Sequence, residues 1–363
     1  MKKTLCLLLS VILFFTLSAV NVFALDDSSL QSANDDETAN EQAVDSMVVF
    51  GDSISAGFGL PDFDFNDNSK AAQSFPNLLC QRYHLTYGKN CFNFSHSGYD
   101  SAEILSDVKA ADKGILKNAD VVMFSLGTND ILKVFDDCIQ KEYSENQESW
   151  VKAGAAIDSG IKAPLIDSVL SLFAAKNKTD AQSLMLSDSI INRFQKQSKD
   201  AVLKCEANIK ETISYLREIG CQGEIYFVSP YEAGYSLYQN ALFNHLHSVF
   251  RKLCDTMIAL SESREYGYSV SVIDLMSDFE DQYQKMTLVQ QSDIHLSKDG
   301  HLYVADKIEE LNKLNQKQRI SEQNTLRHRT APYSNTIVLV IFGAACAAVI
   351  TIIIYSIITR RKK

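Results

Sequence analysis

Several features that would place this 363-residue sequence in a common class are missing from it. Basic residues are in the minority, 35 Lys plus Arg against 45 Asp plus Glu, and the net charge of −10 argues against a nucleic-acid binder. No Cys-x-x-Cys or histidine-rich spacing predicts a structural zinc site. The glycine spacing fits neither dinucleotide nor P-loop phosphate binding, and Ser at position 55 excludes a Gly-x-Ser-x-Gly nucleophile elbow.

Apolar and basic residues concentrate at the two ends of the chain. Lys2 and Lys3 precede an uncharged run, Leu5 to Val20, and small or apolar residues lead up to Ala24. This pattern predicts a signal peptide over 1–24 that is cut after Ala24, with a retained N-terminal anchor as the alternative. The next residues, 25–44, are acidic and polar and are expected to form a disordered linker.

A second apolar run lies at the other end. Thr336 to Ile358 contain no charge and are numerous enough to cross a hydrocarbon core of about 30 Å. Basic residues fill most of the segment after them, 359–363, which predicts a tail retained in the cytoplasm and an extracytoplasmic domain before the span. A polar linker over 316–335 is expected to separate that domain, 45–315, from the membrane.

Six cysteines fall in the predicted domain, and an even number in an oxidising compartment permits three disulfides. The spacing favours pairing Cys80 with Cys91 and Cys205 with Cys221, because each pair joins a helical segment to the start of the next strand. The connectivity of all six is not fixed by the sequence.

Strand and helix patterns alternate along the domain. The strand candidates are short apolar runs bounded by turn residues, namely Met47–Phe50, Cys91–Ser95, Val121–Leu126, Ile225–Ser229 and Val270–Asp274. Between them lie helical patterns, the clearest ending at Gly220. Such alternation predicts an α/β fold in three layers, with a mostly parallel five-stranded sheet between helices.

Chemistry-bearing residues follow these strands at the edge where parallel sheets bind ligands. Ser53 follows the first strand, Gly98 the second and Asn129 the third, while Asp293 and His295 come after the fifth. His295 is the base available to activate the Ser53 hydroxyl. The amides of Ser53 and Gly98 and the side chain of Asn129 could stabilise an oxyanion, and Asp293 could fix the histidine tautomer.

These blocks resemble those of the SGNH (GDSL) hydrolase family. The nucleophile block is matched by Gly51-Asp52-Ser53, the oxyanion residues by Gly98 and by Asn129 in Gly127-Thr128-Asn129-Asp130, and the base by His295. The resemblance implies the flavodoxin-like SGNH fold and a serine esterase that needs no metal or organic cofactor. It departs from the family pattern near the histidine, where Ser292 stands at the usual aspartate position and Leu296 replaces proline. Either Asp293 or a backbone carbonyl therefore orients the imidazole, the second case leaving a Ser–His pair.

Residues 134–186 exceed what the crossover to the fourth strand needs. They contain Trp150 and apolar residues at helical spacing, which favours a helical cap beside the site, with an insertion remote from the site as the alternative.

The sequence thus predicts a membrane-anchored extracytoplasmic esterase that acts on acylated glycans, lipids or small esters. Two other functions remain open. A metal-dependent phosphoesterase could use Asp52, Asn129, Asp130 and His295 as ligands. The domain could alternatively be a surface-binding module without catalysis.

Overall fold

The computed structural model describes residues 43–146, 148, 188–231, 241–263, 269–291 and 293–322. The expected signal peptide, most of the 134–186 insertion, the 336–358 span and the basic tail lie outside these residues. Across the described part of the chain, no helix is both long enough and apolar enough to span a bilayer.

Five strands form one sheet, and each coincides with a predicted apolar run to within one or two residues. They are β1 Met47–Gly51, β2 Cys91–Asn93, β3 Val121–Ser125, β4 Glu224–Val228 and β5 Val270–Ile273. All neighbouring pairs are parallel, in the order β2-β1-β3-β4-β5. Every residue of β1, β3 and β4 is buried, which explains their continuous apolar runs, because helices cover both faces of a parallel sheet. The predicted parallel α/β sheet is confirmed.

Ten helices and one 3₁₀ turn, Val289–Gln291, are described. The helices are α1 Ser53–Ala56, α2 Phe75–Arg82, α3 Ser101–Ala110, α4 Lys113–Lys117, α5 Thr128–Glu145, α6 Asp188–Glu218, α7 Ala241–Glu262, α8 Leu275–Asp278, α9 Tyr283–Met286 and α10 over 298–322.

The longer helices form two groups. Helix α6 packs against α3, α5 and α7. Helix α2 instead contacts α10, since the Phe75 amide donates to His301 Nδ1 and Arg82 pairs with Asp306. From β1 to β2 the chain moves towards one edge of the sheet, and from β3 through β4 to β5 it moves towards the other edge. Because crossovers between parallel strands are right-handed, the helices of these two parts of the chain lie on opposite faces of the sheet. The two groups are therefore the outer layers of a three-layer sandwich.

Two boundaries differ from those predicted. Helix α10 continues to residue 322, seven residues beyond the expected domain end at 315, and Arg319 on it forms an ion pair with the buried Glu224. Helix α5 extends into the segment assigned to the insertion, and its Phe135 and Ile139 are buried in the core. Residues 134–145 thus belong to the layer that covers the sheet.

The predicted disulfides are absent from the described residues, whose six cysteines are all buried free thiols. Pairing Cys205 with Cys221 was wrong, because thirteen residues of α6 separate Cys205 from the helix end at Glu218, a rise of about 20 Å. A disulfide needs Cα atoms within about 7 Å. Cys80 and Cys91 do contact each other, but as thiols.

Candidate active site

The Ser53 turn is a sharp transition from β1 into α1. Asp52 caps the helix, its Oδ1 accepting a hydrogen bond from the Ile54 amide at 3.0 Å. Gly57 ends the helix after one turn at φ 83°, a left-handed conformation that favours glycine. The turn leaves Ser53 partly exposed while its neighbours are buried.

A buried polar network joins this turn to β3 and to the loop after β2. Ser125 Oγ donates to Asp52 Oδ1 at 2.6 Å, and Ser55 Oγ lies 2.7 Å from both Ser125 Oγ and Ser95 Oγ. Burial raises the pKa of Asp52 to about 6, while hydrogen bonds from Ser125 and from the Ile54 amide limit the rise. Because these bonds occupy Asp52, its carboxylate braces the turn.

The structure brings Ser53, His295 and Asp293 into one chain of hydrogen bonds. His295 Nε2 lies 2.8 Å from Ser53 Oγ, and His295 Nδ1 lies 2.5 Å from Asp293 Oδ1. The His295 side chain is 12% exposed and the Asp293 side chain 27%, so the pair is largely shielded from solvent. A base between a hydroxyl and a carboxylate in this order is suited to proton transfer from Ser53.

Asp293 reaches the imidazole from two positions upstream because of a local turn. Its Oδ1 accepts a hydrogen bond from the backbone amide of His295 at 2.9 Å as well as contacting Nδ1. Burial alone would raise the pKa of Asp293, but hydrogen bonding to the His295 side chain and the charge of that histidine hold it below its usual value. The carboxylate is therefore poised to stay ionised beside the imidazole.

The segment that carries His295 is held from two sides. Tyr231, which follows β4, donates from its hydroxyl to the Ile294 carbonyl at 2.7 Å. The Leu288 amide donates to the His295 carbonyl at 2.8 Å. Tyr231 escaped the sequence analysis because no motif marks it; its place directly after a predicted strand was the one available signal.

The expected oxyanion donors follow three neighbouring strands, Ser53 after β1, Gly98 after β2 and Asn129 after β3. No described acceptor bonds the amides of Ser53 or Gly98, and Ser53 is the first residue of α1, where an amide lacks a helical partner. Asn129 Nδ2 donates to the Tyr99 carbonyl at 2.9 Å, which joins its loop to that of Gly98 and leaves the second N–H of the amide for a ligand. The three donors thus follow neighbouring strands at one edge of the sheet, and each keeps an N–H that no described acceptor engages.

Asp130, next to Asn129, fixes the start of helix α3. Its two carboxylate oxygens accept from the Ser101 hydroxyl at 2.5 Å and from the Ser101 amide at 2.9 Å. Asn208 of helix α6 donates to the same hydroxyl at 2.8 Å. These hydrogen bonds link helices α3, α5 and α6 next to the loop that carries Gly98.

The matching family profile decides the classification of the chain. The profile of the GDSL-like Lipase/Acylhydrolase family matches residues 49–302, which include Ser53, Gly98, Asn129 and His295. The chain belongs to this family. Membership supports ester hydrolysis, and the GDSL-like family is one of hydrolases, esterases and lipases.

Solved structures similar to this GDSL-like chain include lipases and an esterase. A lipase from a goat rumen metagenome is 15% identical, with 74% of this chain and 97% of that chain covered at a TM-score of 0.45. An extracellular lipase from Streptomyces rimosus is 16% identical, with coverage of 71% and 94% and a TM-score of 0.43. A variant of an acetyl xylan esterase from Geobacillus stearothermophilus is 12% identical, with coverage of 74% and 96% and a TM-score of 0.42. No curated sequence matches the chain.

Two further histidines and two aspartates near the motifs have separate roles in this GDSL-like domain. His96 is exposed, and its Nε2 lies 3.7 Å from Asp107 Oδ2. His301 is fully buried against Phe75, and burial lowers its pKa to about 3. Asp52 and Asp130, proposed as metal ligands in the phosphoesterase alternative, are engaged by Ser125 and Ser101, and the described residues contain no cluster of three or more metal-binding side chains.

Proposed function

We propose that the chain is a serine esterase that cleaves carboxylic esters through an acyl-enzyme on Ser53. One observation carries the proposal: the hydrogen-bonded order Ser53, His295, Asp293, with 2.8 Å and 2.5 Å between the contacting atoms. Membership in a family of acylhydrolases supports the same chemistry.

In the proposed reaction, Ser53 Oγ attacks the ester carbonyl while His295 Nε2 accepts its proton. The Ser53 and Gly98 amides and the Asn129 side chain stabilise the tetrahedral oxyanion. The intermediate collapses when His295 returns the proton to the departing alcohol. Water activated by His295 then attacks the acyl group, releasing the acid and restoring Ser53. Asp293 keeps Nδ1 protonated throughout, and no step requires a metal or an organic cofactor.

We also propose that the domain is exported and anchored by residues 336–358. The support is in the sequence: the basic start and apolar run before Ala24, and the uncharged segment followed by Arg360 and Arg361. Acylated glycans, lipids or small esters outside the membrane are then the accessible substrates. External protease should digest the domain of intact cells while the tail remains protected and stays in the membrane fraction. Protection of the domain would contradict its export, and loss of the tail from the membrane fraction would contradict the anchoring.

The esterase activity is tested by hydrolysis of aryl esters and acetylated sugars by the full chain and by Ser53→Ala. The wild type should hydrolyse at least one of these substrates, and Ser53→Ala should lower kcat by about 10³-fold or more. Labelling with a fluorophosphonate should mark the wild type and not the variant.

Ser144→Ala is the matched control, because it removes an exposed serine on helix α5. It should keep wild-type rates. Equal ester hydrolysis by the wild type and Ser53→Ala would refute the proposed function. Retained hydrolysis after treatment with a chelator would further separate it from the metal-dependent phosphoesterase.

A further inference from the structure

Three phenylalanines form a contiguous cluster on the imidazole of His295. The ring of Phe58 lies 4.4 Å from that of His295, centroid to centroid. Phe63 lies 5.1 Å from Phe58, and Phe65 lies 5.8 Å from Phe58 and 4.8 Å from Phe63. The distances and tilts are those of favourable aromatic pairs. We call Phe58, Phe63 and Phe65 the aromatic wall.

The aromatic wall becomes more exposed with distance from the histidine. Phe58 and Phe63 are partly buried, whereas Phe65 is 70% exposed, the largest exposure among the described large apolar side chains. A ring kept in water contributes little to folding, and an exposed apolar patch continuous with a reactive site is typical of ligand binding.

The loop that carries the wall is held in place by polar contacts. Asn68 donates to the carbonyls of Asn93 and Ser95, beside the second strand. Asn77, which is buried, donates back to the carbonyls of Asn68 and Ala71. Asp64 stands between Phe63 and Phe65 in the sequence. Its Oδ2 lies 2.6 Å from Nζ of the exposed Lys70. The wall is thus preorganised, which lowers the entropy lost when a ligand binds.

The direction of proton transfer determines whether the acyl or the alcohol portion of an ester contacts the aromatic wall. The oxyanion donors fix the carbonyl oxygen on the side of Gly98 and Asn129, and His295 Nε2 must face the alcohol oxygen that it protonates. The group attached to that oxygen therefore leaves the site past the imidazole, where Phe58 lies.

We infer that the aromatic wall binds the alcohol portion of the substrate, and that this portion is apolar. The inference rests on the proposed function and adds the substrate class: esters whose larger apolar group is on the alcohol side. Phe65, the outermost ring, is then a specificity-determining residue.

The experiment uses two isomeric esters that differ only in the side that carries the longer chain. Hexyl acetate has the chain on the alcohol and ethyl hexanoate has it on the acyl group. The kcat/KM ratio, hexyl acetate over ethyl hexanoate, is measured below the solubility limits for the full-length wild type, Phe65→Ser and Phe65→Leu. Leu203→Ser is the matched control, since Leu203 is 63% exposed on helix α6 and lies outside the wall.

Phe65→Ser should lower the ratio about fivefold to tenfold, the effect expected for losing part of an aromatic contact. Phe65→Leu should recover part of it, and Leu203→Ser should keep the wild-type ratio. An unchanged or raised ratio in Phe65→Ser, with hydrolysis that still depends on Ser53, would overturn the inference and leave the proposed function intact. Equal hydrolysis by the wild type and Ser53→Ala would overturn both.

Discussion

Asp293 is the residue whose role the sequence left most open. Its position two residues before His295 departs from the family spacing, yet its Oδ1 accepts from both the backbone and the ring of the histidine. A carboxylate that fixes the tautomer contributes mainly to the transition state, where the imidazole becomes charged.

Replacing Asp293 with Ala should therefore lower kcat by about 10²- to 10⁴-fold with a smaller change in KM. Steady-state hydrolysis of an aryl ester measures both constants. Asp281→Ala, at an exposed position, is the matched control. Activity of Asp293→Ala within about twofold of the wild type would instead indicate a Ser–His pair oriented by the backbone.

Asp52 makes stability depend on pH in the direction opposite to most carboxylates. Its folded-state pKa of about 6 exceeds the ordinary value of 3.8, so the folded chain binds the proton more tightly than the unfolded chain. Asp52 therefore destabilises the fold fully above about pH 6, and this penalty disappears as the pH falls towards 4.

We expect Asp52→Asn to remove this dependence, because the amide keeps an oxygen acceptor for Ile54 and Ser125 without a charge. The unfolding free energy of the wild type minus that of the variant should increase by on the order of 3 kcal/mol between pH 7 and pH 4. Urea denaturation at both pH values measures it. Parallel pH profiles of the two proteins would show that Asp52 does not titrate as described.

At the scale of elements, the contact of Asp130 with Ser101 joins the starts of α5 and α3, and Asn208 adds α6. Burial raises the pKa of Asp130, while hydrogen bonds from Ser101 oppose the rise. Removing this acceptor would leave a buried hydroxyl and a helix N-terminal amide unsatisfied.

Asp130→Ala should lower the unfolding free energy by about 2–3 kcal/mol. Asp137→Ala, on the exposed side of the same helix, should change it by less than about 0.5 kcal/mol. Chemical denaturation followed by circular dichroism distinguishes the two variants. A similarly small change in both variants would mean that the hydrogen bonds of Asp130 with Ser101 contribute little to the unfolding free energy.

The elements themselves were predictable from local sequence. Strands buried on both faces require continuous apolar runs, so the run Val121–Leu126 predicted β3, which ends one residue earlier at Ser125. The positions of Ser53, Gly98 and Asn129 after neighbouring strands followed from the parallel topology. Tyr231 and Phe58 could not be found in this way, because their contacts with the His295 segment depend on how distant loops pack.

At the scale of the whole molecule, the six cysteines in the described part of the chain are buried core residues and not disulfide partners. The disulfide prediction came from counting residues along the chain, whereas helix α6 carries Cys205 far from Cys221. Burial raises the pKa values of Cys80 and Cys91, which keeps both thiols protonated and slow to oxidise.

Peptide mapping of the folded protein without reductant should therefore find no crosslink among the six described cysteines. Their thiols should react with a maleimide only after denaturation, because all six are buried. A Cys80–Cys91 crosslinked peptide in the native protein would contradict the structure at this contact.

An acyl-enzyme on Ser53 can be trapped by mixing the full chain with p-nitrophenyl acetate, quenching the reaction rapidly and analysing the peptides by mass spectrometry. Transfer of the acyl group to Ser53 is the one step that separates a serine esterase from a metal-dependent hydrolase or a binding module on the same fold. We expect an acetyl group on the Ser53 peptide of the wild type and none in His295→Ala at the same time point. Turnover with no acetyl group on Ser53, or acetylation of another residue that Ser53→Ala leaves unchanged, would contradict the proposed acyl-enzyme.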